Sequence, residues 1–285
     1  MVLLSPARLA IAILLVLGLV GALGIRSEAG LPTSVLERIL HLDAGMTAPQ
    51  DRLLAPLSRD VQGHMQLLGT DDLGRNLALR LAVALGTSLA IASTGALVAL
   101  GIGTGIGTAA GLAGGRGDAW LMRATEVTAA IPAVLLTMVL VAVLRSWGDG
   151  VVFAAMGLLF WQPVARLVRA RVLRLRNEPY FEAARAIGAP PWHRIRRHLL
   201  PGLWPTVLTA GALLLPRLIL LESLLAYLGV STSPHSFGRI IAGVTATLTP
   251  LSPSWWPVIV PCGILALFVL CLNVVLDDLD RRRSV

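Results

Sequence analysis

Residues 81–115 read LAVALGTSLAIASTGALVALGIGTGIGTAAGLAGG and contain no charged side chain. One membrane-spanning helix needs about 20 consecutive apolar residues, so this run exceeds one span but cannot supply two spans and a loop. It therefore predicts a single long helix whose ends extend beyond the hydrocarbon. Small residues four apart let another backbone approach such a helix closely. The run has three such pairs, which we expect to be packing contacts: Gly101/Gly105, Gly103/Gly107 and Gly107/Gly111.

The whole chain shares this apolar character. Of its 285 residues, 55% are hydrophobic and 14% are charged, and the mean hydropathy is +0.76. Soluble domains carry about 25% charged residues, so the composition predicts an all-α integral membrane protein. All 24 basic residues are arginine, and without a lysine the chain cannot form a standard P-loop for nucleotide hydrolysis. The net charge of +8 could also suggest nucleic-acid binding. Because the arginines flank apolar runs, we expect contact with membrane lipid and no nucleic acid.

Further apolar runs raise the expected number of transmembrane helices to about six: residues 9–25, 124–144, 150–165, 203–230 and 255–276. The first run could be a cleaved signal peptide, but it is long and no clear cleavage site follows. We therefore expect a retained span.

Arginine placement predicts the orientation of these helices. Nine arginines lie between residues 166 and 197, more than in any other connection. Cytoplasmic loops are enriched in basic residues, so this connection, residues 113–123 and both termini are expected in the cytoplasm.

The arginine-rich connection contains the segment YFEAARAIGAPPWHRIRRHLLP (180–201). Asn177, followed by Glu178 and Pro179, predicts a helix start with Asn177 as the cap. Gly188 predicts the end of that helix. Pro190 and Pro191 predict a bend. A second short helix over 192–200 is expected to precede Pro201, which opens the next span.

The first helix of this segment has features that favour a protein partner. Ala183 and Ala184 would keep one face thin, and Glu182 is its single anion. A thin face with one acidic group suits insertion into a groove where the partner supplies a cation. The alternative is an amphipathic helix whose arginines lie on anionic lipid.

Several motifs resemble one family of transporters. Glu182-Ala183-Ala184 followed by Gly188 resembles the EAA loop of permease subunits of bacterial ABC importers. Other motifs are similar to the second, C-type transmembrane subunit of the dipeptide/oligopeptide/nickel permease subfamily: LGTDDLGRNLALR (68–80), MRATEVTAAIP (122–132), WQPVARLVRARVL (161–173), ESLLAYLGV (222–230) and LNVVLDDLDRRR (272–283). The departures include Asn76 and Leu79 in the first motif.

The resemblance implies a type I importer fold in a bacterial inner membrane, with half of a translocation pathway for peptides, nickel or metal chelates. It implies residues 1–25 as an N-terminal transmembrane helix, 26–80 as an extracytoplasmic segment leading into span two, and 81–285 as the permease core with a coupling loop at 166–202. The implied partners are a second permease subunit, two ATPase subunits and an extracytoplasmic substrate-binding protein. ATP and magnesium would bind the ATPases, and this chain would bind no cofactor and catalyse no reaction.

The same resemblance implies which residues contact the ATPase: Tyr180, Glu182, Ala183, Ala184, Arg185, Gly188, Pro190, Pro191, His198 and Pro201. A second set has charges near or inside the spans, with either pathway or structural roles: Asp71, Asp72, Arg75, Glu126, Arg217 and Glu222. For Asp71, Asp72 and Arg75 a hydrogen-bonded turn is favoured over substrate contact. For Arg217, snorkelling or pairing with the second permease stays an alternative.

An ion-gradient-driven secondary transporter or channel is the rival class. It would favour acidic or histidine relays at mid-membrane, or an internal repeat, and neither is clear here. The five histidines show no metal-binding spacing, so no metal or catalytic site is expected.

Overall fold

The computed structural model describes residues 47–147, 149–230, 236–245 and 254–281. The predicted first span at residues 9–25 lies outside these ranges, as do both chain termini. The helices in chain order are α1 (Leu77–Ala113), α2 (Gly115–Ala130), α3 (Ala133–Leu144), α4 (Asp149–Gly157), α5 (Trp161–Leu175), α6 (Pro179–Ala186), α7 (Pro191–Arg194), α8 (Leu200–Tyr227), α9 (Phe237–Thr245) and α10 (Trp256–Arg281). Short 3-10 turns lie at Pro49–Asp51 and Arg145–Trp147, and Ile195–Leu199 is a π-helical turn.

Before α1 the chain forms a small antiparallel hairpin. Its strands are β1 (Ser58–Arg59) and β2 (Met65–Gln66), with Ser58 opposite Gln66. The helix α1 then begins at Leu77, four residues before the uncharged run.

The described residues form two compact units. One contains the described residues up to Ala92 together with those from Ile219 onwards, and the other is Ser93–Leu218. In the second unit α1 packs on α5 through glycine. A Cβ on Gly103 would lie 2.6 Å from the Val164 Cβ, and one on Gly107 would lie 2.5 Å from the Ala165 carbonyl oxygen. Close backbone approach is therefore built into this face.

The glycine prediction is confirmed for one face of α1 and not for the other. Gly103, Gly107 and Gly111 all have α5 atoms within contact distance, whereas added Cβ atoms on Gly101 and Gly105 would meet nothing within 4 Å. The spacing alone could not distinguish them, because both series recur every four residues on neighbouring helix faces.

The predicted span 124–144 is not one straight helix. Helices α2 and α3 meet at an angle of 78°, because Ile131 before Pro132 is extended, with φ −77° and ψ 130°. The expected loop at 113–123 is also wrong, since helix resumes at Gly115 after a single residue.

The predicted span 150–165 also differs. The chain forms α4, a turn, and then α5 at an angle of 44°, and α5 continues to Leu175 through residues expected to be a loop. Val164, Val168 and Val172 recur every four residues and are buried. The arginines between these valines lie on other faces of α5. They therefore belong to the polar side of an amphipathic helix and do not indicate where the helix ends.

Three helical stretches among the described residues are long and apolar enough to cross a membrane: Leu77–Ala113, Pro191–Tyr227 and Trp256–Val275. The number rises to five if each bent pair forms one span. The predicted total of about six, which includes residues 9–25, stays a prediction, and so does the orientation.

Candidate coupling site

The N-cap of α6 lies one residue later than predicted, at Glu178 rather than Asn177. Glu178 is the N-cap, with extended backbone (φ −74°, ψ 141°) and no side-chain capping bond, and Pro179 is the first helical residue. Asn177 instead completes the end of α5, because its N–H donates to the Arg174 carbonyl oxygen at 3.1 Å. The prediction of Asn177 as the cap was wrong, since the preceding helix continues up to it.

The end of α6 is a Schellman motif. Gly188 has φ +75°, the left-handed conformation that glycine adopts without steric cost. The Gly188 N–H donates to the Arg185 carbonyl oxygen and the Ala189 N–H to the Ala184 carbonyl oxygen, both at 3.1 Å. Gly188 therefore stops this helix, as expected, and Pro190 and Pro191 set the direction of the chain beyond it.

Helix α6 has a buried and an open side. Phe181 and Ala184 are 7% and 6% exposed, and the Arg194 guanidinium lies 5.9 Å from the centroid of the Phe181 ring. Glu182, Ala183 and neighbouring residues are exposed. The expectation that Ala183 and Ala184 form one thin outer face needs correction. Consecutive helical residues differ by about 100°, so only Ala183 is left for a partner.

The second short helix predicted over 192–200 is not separate from the next span. Helix α7, the π-helical turn Ile195–Leu199 and α8 form one stretch, Pro191–Tyr227. Within it the Leu200 N–H donates to the Ile195 carbonyl oxygen, five residues back. Proline has no N–H and its ring crowds the preceding turn, so a locally wider turn lets the helix continue through Pro201.

Aromatic rings connect the two ends of the segment. The Tyr180 and His198 ring centroids are 6.2 Å apart, and those of His193 and His198 are 6.1 Å apart. Tyr180 is 44% exposed. The structure thus brings Tyr180 of α6 to His198 of the π-helical turn, although sequence spacing could not show their contact.

Asp71 is the centre of a hydrogen-bonded turn before α1. Its Oδ1 accepts from the backbone N–H groups of Leu73 and Arg75, both at 2.9 Å, and its Oδ2 accepts from Arg75 Nε at 2.8 Å. Arg80 also donates to Oδ2. Asp71 has no exposed surface and Arg80 is 6% exposed. Arg80 was absent from the predicted set, although a cation in the first turn of an apolar helix is a visible signal. Asp72 is 9% exposed, and the structural role favoured for it over substrate contact stays a prediction.

The remaining charged candidates lie on α2 and α8. Glu222 is 1% exposed and its Oε2 accepts from Ser88 Oγ at 3.1 Å. Arg217 is exposed on α8, with its guanidinium 5.6 Å from the centroid of the Phe160 ring. Glu126 is exposed on α2. The pathway or structural roles of these residues stay predictions.

An ion pair that sequence reasoning missed links α2 to α5. Arg169 donates from Nε and Nη2 to the two Asp118 carboxylate oxygens, at 2.5 and 2.6 Å. Arg176 donates to the Gly111 carbonyl oxygen at 2.9 Å. From sequence these arginines indicated only orientation, so their pairing required the fold.

Comparison with known proteins identifies the chain. The family model of binding-protein-dependent transport system inner membrane components matches residues 101–285. The chain belongs to this family. It is therefore a multi-pass inner membrane component with the all-helical permease fold of type I ABC importers, and the predicted fold class and location are confirmed.

The relatives that the chain matches are named as permease proteins of oligopeptide or dipeptide transport systems. The oligopeptide transport system permease protein OppC of Haemophilus influenzae is 34% identical over 74% of this chain and 67% of its own length. That of Escherichia coli K12 is 35% identical over 74% of this chain and 69% of its own length. The dipeptide transport system permease protein DppC of Bacillus subtilis is 34% identical over 74% of this chain and 66% of its own length.

Proposed function

We propose that this permease forms half of an ATP-driven import pathway for peptides. The cargo proposal rests on relatives named as oligopeptide and dipeptide transport permeases. A second permease subunit would complete the pathway, and an extracytoplasmic binding protein would deliver the peptide. Two cytoplasmic ATPase subunits would supply the energy. Nickel or a metal chelate is the alternative cargo.

We propose that the segment 180–201 couples those ATPases to the spans. The observation that carries this proposal is the two-sided construction of α6. Phe181 and Ala184 hold the helix against its own chain, while Glu182 and Ala183 are exposed beside them. Within the described residues no ion pair of 4 Å or less involves Glu182. Its carboxylate is therefore available to a cation of a partner.

The connections of α6 suit transmission of movement. The Gly188 motif and two prolines limit the backbone freedom between α6 and Pro191. From Pro191 the chain is helical to Tyr227, so a displacement of α6 acts on the end of a 37-residue helical stretch. Helices move as rigid elements in hinge and shear transitions, and the restrained corner at residues 188–190 would pass the movement of α6 to that stretch.

The test of coupling is Glu182→Lys in the complete importer. We expect peptide uptake to be lost while the amount of permease in the membrane is unchanged, because the reversed charge repels the cation expected in the ATPase groove. Uptake of a labelled dipeptide and immunodetection of each subunit measure this. Glu178→Lys, at the N-cap one turn before Glu182, is the matched control and should retain most uptake. Normal uptake by Glu182→Lys, or equal loss in both variants, would reject a specific contact at Glu182.

Cargo is tested separately from coupling. The reconstituted complex with its binding protein is supplied with dipeptides, oligopeptides, nickel or a nickel chelate, and ATP hydrolysis is measured. We expect stimulation by peptides. Stimulation by nickel species alone would overturn the peptide proposal and leave the coupling proposal intact, and transport that persists without ATP would favour the secondary-transporter class.

A further inference from the structure

The structure contains a cavity beside α6 that shares Glu182, Arg185 and Pro191 with the implied ATPase contacts. Its volume is about 530 Å³, and it lies where α1 and α5 end. Its lining is mostly polar or charged: Arg176, Asn177, Glu182, Arg185 and Arg194, with Phe181 and Leu112 among the apolar residues. Pockets of this size hold small ligands.

The charge of this cavity is unbalanced. Three guanidinium groups and one carboxylate line it, which leaves an excess of positive charge. Glu182 does not neutralise its neighbours by contact, since no ion pair of 4 Å or less involves it within the described residues. Like charges held around one space repel each other, and an anion between them removes that repulsion.

Two of the three arginines are held in place by the fold. Arg176 donates to the Gly111 carbonyl oxygen at 2.9 Å, and Arg194 lies over the Phe181 ring. The Arg194 Nε is buried and has no hydrogen-bond partner in the described part of the chain. A buried donor without a partner has a free-energy cost, which an acceptor bound in the cavity would remove. Preorganised guanidinium groups bind phosphate oxygens through paired hydrogen bonds.

We propose that this cavity is a binding site for a phosphate group, formed by Arg176, Arg185 and Arg194. The phosphate could belong to an anionic lipid headgroup or be free inorganic phosphate, since both present the same oxygens. The site lies on a different side of α6 from the exposed Ala183. It goes beyond the proposed coupling, and its test on the isolated chain requires no ATPase.

The test compares two double variants that remove the same charge. The first, called the cavity variant, combines Arg185→Gln with Arg194→Gln and removes two arginines that line the cavity. Arg196→Gln with Arg197→Gln changes exposed arginines nearby that do not line it. The full-length chain in non-ionic detergent is titrated with sodium phosphate by calorimetry. It is also titrated with phosphatidylglycerol or phosphatidylcholine and examined by native mass spectrometry.

We expect saturable binding of at least one phosphate probe, weakened about thirtyfold in the cavity variant, because each arginine near such a group contributes about 1 kcal/mol. The Arg196/Arg197 variant should differ from wild type by less than about threefold. Binding of phosphatidylglycerol alone assigns the site to a lipid headgroup, and binding of inorganic phosphate as well assigns it to the free anion. Arg185→Gln alone, at an exposed position, should fold normally and weaken binding about fivefold.

Two results would overturn the proposal. One is equal binding by the cavity variant and its matched control, which would indicate unspecific attraction to basic residues. The other is no saturable binding of either phosphate probe by wild type. If the cavity variant then also loses co-purifying ATPase subunits, the cavity holds a partner's acidic side chain instead.

Discussion

The turn at residues 70–80 and the coupling segment at residues 180–201 are both rich in charge, but they differ in how the central acidic residue is paired within the described chain. Asp71 accepts hydrogen bonds from two backbone N–H groups, from Arg75 and from Arg80. In the coupling segment, the Glu182 carboxylate forms no ion pair of 4 Å or less with a described residue.

Burial explains the difference. Asp71 has no exposed surface, and an unpaired charge there would be strongly destabilising. Glu182 is exposed, so water can solvate it until a partner arrives. Charges paired inside the chain maintain the fold, whereas charges and surfaces left open are available to other molecules.

Asp71→Ala should give the largest effect. It removes the acceptor of both arginines and leaves Arg80 as a buried, unpaired cation, so we expect a loss of about 3–5 kcal/mol. Thermal unfolding in detergent and the amount of folded protein in membranes measure this. Asp72→Ala is the control, with an expected loss below about 1 kcal/mol, since among the described residues no ion pair of 4 Å or less involves that side chain. Equal losses would show that the turn does not depend on the Asp71 contacts.

Gly107→Val should come next. The added Cβ would lie 2.5 Å from the Ala165 carbonyl oxygen, so α1 and α5 must separate, at a cost of about 1–3 kcal/mol. Gly105→Val places the same side chain on the open face of α1 and should be near neutral in the isolated chain. Unfolding temperatures of the two variants test this. A greater loss for Gly105→Val would mean that the covered and open faces are assigned the wrong way round.

A comparison of Gly188→Ala with Gly229→Ala distinguishes an effect on coupling from an effect on stability. Both glycines have nearly the same left-handed φ, +75° and +76°, and an added Cβ meets no atom within 4 Å at either site. Each ends its helix with the same pair of hydrogen bonds. We expect both variants to lose about 1 kcal/mol, but only Gly188→Ala to reduce peptide uptake. Equal uptake in the two variants would remove Gly188 from the coupling role.

The smallest effect concerns the hairpin before α1. Burial opposes ionisation of Asp60, but hydrogen bonds from the His64 N–H and the Gln66 side chain outweigh it and lower the Asp60 pKa. Because the folded pKa lies below the unfolded value, this stabilisation is present above the unfolded pKa, about 3.9, and is lost as pH falls through the folded pKa. Hydrogen exchange of residues 58–66 should accelerate in that acidic range. Asp60→Asn should abolish this pH dependence, and an unchanged profile in that variant would refute the assignment.

Local signals predicted much of the fold. The uncharged run predicted α1 within four residues of its start, because length and hydropathy alone identify such a helix. Gly188 predicted the end of α6, because its conformational preference is local. Both succeeded without knowledge of what packs nearby.

The failures have a common origin in longer-range structure. Arginines at 166–175 suggested a loop, yet α5 continues because Val168 and Val172 are buried. Pro201 suggested a new helix, yet the π-helical turn lets the stretch continue. In each case packing outweighed a local composition signal. For the candidate coupling site, sequence motifs named the residues, but the Tyr180–His198 contact and the burial of Ala184 came from the structure.

The sequence by itself determined that this chain is a helical membrane protein, where its long apolar helices lie, and the family to which its motifs belong. The tertiary structure decided which glycines of α1 touch α5, which partner neutralises Asp71, and which side of α6 is left open. Hydropathy and backbone preference act over a few residues, so they can be read along the chain. Whether a side chain is covered depends on segments distant in sequence, and only the folded chain brings those segments together.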